Sequence, residues 1–159
     1  MLNIDPFSLV DPPIGAGWNA APYAFALEDR QREAYNENAF QYFMEIERKR
    51  CEPSNRPLLL VLIEPTPFTG ADAVLNGAHA AKFFSTVSRA VRETDVIGWY
   101  REGRVAGVVL TQHDDSDPKR TMDIVWARLT SALEKHYRGD ARGLHVRVQQ
   151  RSPHVAWAD

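Results

Sequence analysis

A single cysteine, Cys51, is all the thiol chemistry in this chain. No disulfide can form within it, and a lone thiol fits a reducing, cytoplasmic setting. Long apolar runs are also missing. The longest, Leu58 to Ile63, has six residues, against roughly 20 for a helix that crosses a bilayer. Membrane insertion is therefore not expected. The opening residues "MLNIDPFSLV" lack a basic stretch followed by an apolar one, so they do not read as a secretory signal. A surplus of either charge is absent: 19 Lys and Arg stand against 21 Asp and Glu, a net charge of -2. That balance argues against a nucleic acid polymer or an anionic membrane as partner. It leaves room for a small anionic ligand held by a few arginines. No internal repeat or low-complexity tract is visible.

What is present reads as one ordinary globular domain, with 44% hydrophobic and 25% charged residues. Residues 1–27 hold four prolines, Gly15 and Gly17, and no Lys or Arg. They read as an extended arm or linker, whose aromatics Phe7, Trp18, Tyr23 and Phe25 imply contact with the domain or a partner. The domain is expected over 28–150, and 151–159 as a C-terminal tail.

Within the domain, Tyr35, Ala39, Phe43 and Ile46 recur at helical spacing and predict a helix over 28–52. Leu58 to Ile63, bounded by prolines, reads as a strand buried on both faces. A second helix is expected over 78–92 on the stripe Phe83, Phe84, Val87 and Val91. Strands 96–100 and 104–111 flank a turn at Glu102-Gly103. Asp117-Pro118 caps a helix over 118–137 with Met122, Val125, Leu129 and Leu133 inward. Strand 144–150 alternates Leu144, Val146 and Val148 inward with His145, Arg147 and Gln149 outward. One of Trp99 and Tyr100 should be core, and Trp126 is expected in the core. After the first helix the order is β-α-β-β-α-β. This is an α+β, ferredoxin-like fold: an antiparallel four-stranded sheet with two helices on one face, plus an extra N-terminal helix. Such a fold decides no function.

Two polar clusters stand out. His113, Asp114, Asp115 and Asp117 precede a helix. Acids there are most simply solvated or capping, so no metal site and no cofactor are expected. "RETD" sets Arg92 and Asp95 three residues apart at a helix-to-strand junction. The pair could be an exposed ion pair or a carboxylate that ties down the turn.

The segments "NENAF" (Asn36 to Phe40), "NRPLLLVLIEPTPF" and "RETDVIGWY", with a hairpin turn and "AGVVL", come in an order and spacing that resemble the GGDEF domain of diguanylate cyclases. The resemblance runs over roughly residues 29–150. It implies the cyclase-like α+β sheet and a signature Gly-Gly-Asp/Glu-Glu-Phe in the hairpin. Those positions here read Arg101, Glu102, Gly103, Arg104 and Val105. The family's glycines let the backbone approach phosphates, and its acids hold metal. Its first strand ends in Asp-x-Asp, where this chain has Leu62-Ile63-Glu64. The resemblance therefore implies no catalytic residues and no cyclase activity. It also assigns Arg-x-x-Asp to product inhibition. This implies cyclic di-GMP binding through Arg92 and Asp95, with Arg89 reaching a phosphate. The residue types suit such a ligand. Arg offers a fork for guanine O6 and N7, and a carboxylate accepts from the other edge.

The function implied is a catalytically inactive GGDEF-like regulatory domain, a cyclic di-GMP receptor of the kind tied to bacterial exopolysaccharide control. The alternative is a ligand-free dimerisation or scaffolding domain that pairs with itself or a partner protein. A divergent nucleotide cyclase fits least.

Overall fold

The computed structural model describes residues 24–26, 33–65, 77–111, 117–136 and 144–155. Most of the expected arm and the loop residues His113, Asp114 and Asp115 lie outside them. Strands β1 (Ala24–Ala26) and β2 (Glu33–Tyr35) precede helix α1 (Glu37–Cys51). Then follow β3 (Leu58–Pro65), α2 (Gly77–Ala90), β4 (Val96–Arg101), β5 (Val105–Leu110), α3 (Pro118–His136) and β6 (Leu144–Arg151).

The sheet has six strands in the order β1-β2-β4-β5-β3-β6. Four of them, β4, β5, β3 and β6, are the expected antiparallel set. The expectation of four strands falls short by two. β2 joins the sheet parallel to β4, with Tyr35 beside Gly98, and β1 pairs antiparallel with β2. The helix expected from residue 28 begins only at Glu37. Ala34 and Tyr35 are buried as strand residues. The Asn36 side chain then accepts from Ala39 N at 2.9 Å and starts the helix. Local periodicity could not reveal this, because pairing with a distant strand outweighs propensity. A Cβ on Gly98 would lie 2.5 Å from the Tyr35 carbonyl oxygen, so glycine there admits β2.

β3 explains the two-layer core. Leu59, Val61 and Ile63 pack with Phe83, Phe84, Val87, Leu129 and Leu133 of α2 and α3. Leu58, Leu60 and Leu62 pack with Phe40 and Met44 of α1. Period-two alternation thus feeds two faces, and α1 covers the face opposite α2 and α3. Each fully buried Leu or Phe contributes about 1.5–3 kcal/mol relative to exposure. The expected stripes of α2 and α3 are borne out. That of α1 is rotated: Ala39, Phe40, Met44, Glu47 and Cys51 are buried, while Phe43 and Ile46 are half-buried. Phe43 instead leans on Tyr35, ring centroids 4.6 Å apart. Trp99 is the core aromatic of its pair, edge-on to Phe84 at 4.9 Å. Trp126 corrects the expectation of a core residue. It is 48% exposed, one position off the inward stripe. Its Nε1 donates to Val146 O at 3.1 Å, which satisfies the polar tip while the ring stays half in water.

Glu47 lies on the buried stripe, paired with Arg50 at 3.1 Å. Burial pushes its carboxyl above the ordinary value of 4.5, and the charge of Arg50 pulls the other way. The folded state therefore holds the proton more tightly than the unfolded state does. Its contribution to stability is greatest below 4.5 and is lost as pH rises through the raised folded value. Glu47→Gln mimics the protonated form. It should raise the unfolding midpoint at pH 7, and the gain should vanish in melts below about pH 4, where both states of Glu47 are protonated. A gain that persists unchanged at low pH would remove burial as its cause.

Candidate functional site

The hairpin between β4 and β5 carries Arg101 to Val105, the residues that the resemblance sets against the family's signature. Arg104 N donates to Arg101 O at 3.0 Å and closes the turn, and Gly103 takes φ of 71°, where other residues are strained. The turn is fastened to the start of α1. Glu37 accepts from Glu102 N at 2.7 Å and from Arg101 Nη1 at 3.2 Å. Glu102 returns the contact, accepting from Glu37 N at 3.2 Å. Each carboxylate takes the other residue's backbone N–H. The Glu102 carboxylate sits where the first N–H groups and the helix dipole favour an anion. Sequence reasoning missed Glu37. An acid directly after the Asn36 cap was a visible helix-start signal, but nothing in the order of residues linked it to a turn 65 positions away.

Glu64, the last residue but one of β3, lies at the same end of the sheet as this turn. β3 pairs Ile63 with Ala106, one residue inside the hairpin. Its carboxylate is held by the Arg147 guanidinium from β6, diagonal to it across the strand pair. Leu62 is buried against α1. The donors present do not fit a divalent cation: one carboxylate is bound by a guanidinium, one is spent on a helix N-terminus, and Leu62 and Gly103 offer none. No group of three His, Cys, Asp or Glu side chains suited to a metal occurs among the described residues.

The "RETD" junction lies at the other end of β4. The six residues of that strand separate it from the turn, a span of about 17 Å at the strand rise. Asp95 is buried, 7% exposed. Its Oδ2 accepts from Arg92 N at 2.9 Å and its Oδ1 from Thr111 N at 3.1 Å. Asp95 N donates to Arg92 O at 3.0 Å, so the junction is closed in both directions. Thr111 Oγ1 donates to Thr94 O at 2.8 Å and joins the same knot to the end of β5. Arg92 and Arg89 are exposed beside it, the latter in the last turn of α2. The structure thus brings the three sequence-chosen residues to one corner and makes Asp95 the closure of its turn. Asp117 caps α3 as expected, accepting from Arg120 N at 3.0 Å. His154 Nε2 meets Asn55 Oδ1 at 2.8 Å, which docks the segment after β6 near the exit of α1.

The diguanylate cyclase protein of Thermotoga maritima superposes with a TM-score of 0.53 at 15% identity, over 75% of this chain and 81% of that one. The GGDEF domain of FimX from Pseudomonas aeruginosa does so with 0.57 at 14%, over 78% and 79%. The fold is that of a GGDEF domain. The diguanylate cyclase SiaD, solved with its activator SiaC from the same organism, gives 0.58 at 14% identity. There the match spans 77% of this chain and about half, 49%, of SiaD. No protein-family model matches the sequence. No curated protein is similar enough in sequence to count as a relative. At these identities the likeness concerns the fold. On this GGDEF frame the hairpin turn and the start of α1 face one another at one end of β4, and "RETD" occupies the other. Among the described residues no helix is long and apolar enough to cross a membrane.

Proposed function

We propose that this chain is a non-catalytic regulatory domain on the GGDEF fold, with cyclic di-GMP as the ligand taken at Arg92, Asp95 and Arg89. The observation that carries the non-catalytic part is the fastening of the turn. Arg101 and the Glu102 backbone are occupied by Glu37, and the Glu102 carboxylate by the α1 backbone. Groups that would have to meet a nucleotide and its metal are engaged in holding two elements together. Phosphoryl transfer relies on metal ions and fixed donors to neutralise developing charge. Purified protein with GTP and Mg²⁺ or Mn²⁺ should therefore yield no cyclic product above a blank, and enzyme-dependent turnover would refute this.

Support for the ligand is chemical. Two exposed arginines stand next to a carboxylate at a corner some distance from the turn, so loss of chemistry at one end leaves the other intact. Calorimetric titration with cyclic di-GMP should show binding. Arg92→Ala should weaken it about tenfold to a hundredfold, the worth of one fork-to-guanine contact. Arg92→Lys should not restore it, because an ammonium lacks the paired geometry. The link to exopolysaccharide control rests on the family resemblance alone.

One observation favours a second reading. Both Asp95 oxygens already accept backbone N–H groups, which is what a purely structural junction requires. Under that reading the domain is a ligand-free scaffold, the titration gives no heat, and pairing surfaces carry the function.

A further inference from the structure

α3 has two faces. The inward one is Met122, Val125, Leu129 and Leu133. On the opposite side Arg120, Ile124, Ala127, Ser131 and Glu134 follow one another at steps of four, three, four and three residues. That spacing puts them on one stripe of the helix surface, charged at its two ends and small or apolar between. All five are exposed. Ile124, 43% exposed, is the one large apolar side chain on this stripe.

The stripe is complementary to itself. Arg120 lies seven residues before Ala127, and Glu134 seven residues after it. Among the described residues neither side chain has an ion-pair partner. When a second α3 is laid antiparallel across the first with Ala127 on the two-fold axis, each Arg120 meets the second copy's Glu134. Two reciprocal ion pairs form from one pattern. Asp123 comes opposite the second copy's Ser131, and Ile124 opposite its Thr130. Alanine at the axis and serine beside it let the helices approach at the short end of the usual 8–10 Å range. A contact in which residue i meets j while j meets i is the arrangement a two-fold dimer needs.

We propose that this face of α3 is a homodimer interface, with a second copy packed antiparallel about Ala127 and two Arg120–Glu134 pairs framing the contact. The reading does not depend on whether cyclic di-GMP binds, since α3 carries none of the ligand residues.

Sedimentation equilibrium of the full chain at low salt tests it. Wild type should form a dimer that weakens with added salt. Arg120→Glu or Glu134→Arg alone places like charges at both pairs and should weaken the dimer about tenfold or more. The double variant R120E/E134R restores opposite charges with the order reversed and should dimerise nearly as wild type does. Both positions are exposed, so thermal unfolding of the single variants should change little. As a geometric check, Ala127→Cys should oxidise readily to a linked dimer across the axis, while Lys119→Cys, off the stripe, should not. A wild type that stays monomeric up to about 1 mM overturns the proposal. So does a dimer indifferent to the single reversals, or one that the double variant fails to restore.

Discussion

Gly107→Val should lower stability by about 2–3 kcal/mol, seen as a fall of roughly 5–10 °C in the unfolding midpoint. Gly107 sits in β5 between Gly98 of β4 and Leu62 of β3. A Cβ at this position would lie 2.5 Å from Cζ and 2.7 Å from Cε1 of Phe40. Such a clash is cheap only if the ring can withdraw. Phe40 has 0% exposure and is hemmed by the α1 side of the core, with Leu60 and Leu62 among its cluster. Valine must therefore push α1 off the sheet or twist the ring from its rotamer, and both cost energy in a close-packed interior. Phe40→Leu alone should also destabilise, by leaving a cavity. In combination with Gly107→Val the loss should be clearly smaller than the sum, because the new side chain fills the space the ring vacated. Full additivity in thermal melts of the three variants would mean that the valine meets something other than this ring.

The second large effect is expected at Asp95. Asp95→Ala removes a buried carboxylate that accepts from Arg92 N and Thr111 N. It leaves two amide donors with no protein acceptor, at a cost of about 2–4 kcal/mol in total. Asp95→Asn keeps one oxygen but turns an amide N–H₂ toward one of those donors, and should lose about half as much. Urea unfolding should show a lower midpoint with an unchanged slope, the mark of a stability change without a change in compactness. An unaltered midpoint for Asp95→Ala would show that the junction holds without its carboxylate. The same geometry bears on ligand tests. Loss of cyclic di-GMP binding in an Asp95 variant would mix a lost contact with a loosened junction. Arg92, with its side chain exposed, is the cleaner probe.

Much of the fold was legible because each local signal agreed with the final environment. Leu58 to Ile63 reads as a strand covered on both sides, and it is one. Asp117 before Pro118 marks the start of α3, and the side chain caps it. The stripe from Met122 to Leu133 faces inward as its period requires. Arg92, Asp95 and Arg89 gather at one corner because a helix end and a strand start are joined by a short turn, which sequence separation alone fixes.

What failed to show had its cause elsewhere in the chain. Residues 33–35 pattern as the lead-in of a helix, yet they pair with β4, because a glycine 63 positions after Tyr35 leaves room for their backbone. Glu37 reads as an ordinary first-turn acid. Only the approach of the hairpin turn makes it the clasp of Arg101 and Glu102. Glu64 looks like a free strand-end carboxylate until β6 brings Arg147 beside it. Trp126 follows the rule that aromatics are buried until the edge of the sheet offers its indole a carbonyl. Local pattern in the chain was enough for the four antiparallel strands and for α2 and α3 with their apolar faces, but not for β1, β2, the start of α1 or its buried stripe. The tertiary structure alone decided which carboxylates are free and which are spent. Ion pairs and hydrogen bonds between distant segments follow no sequence period, so they appear only when packing brings their partners together.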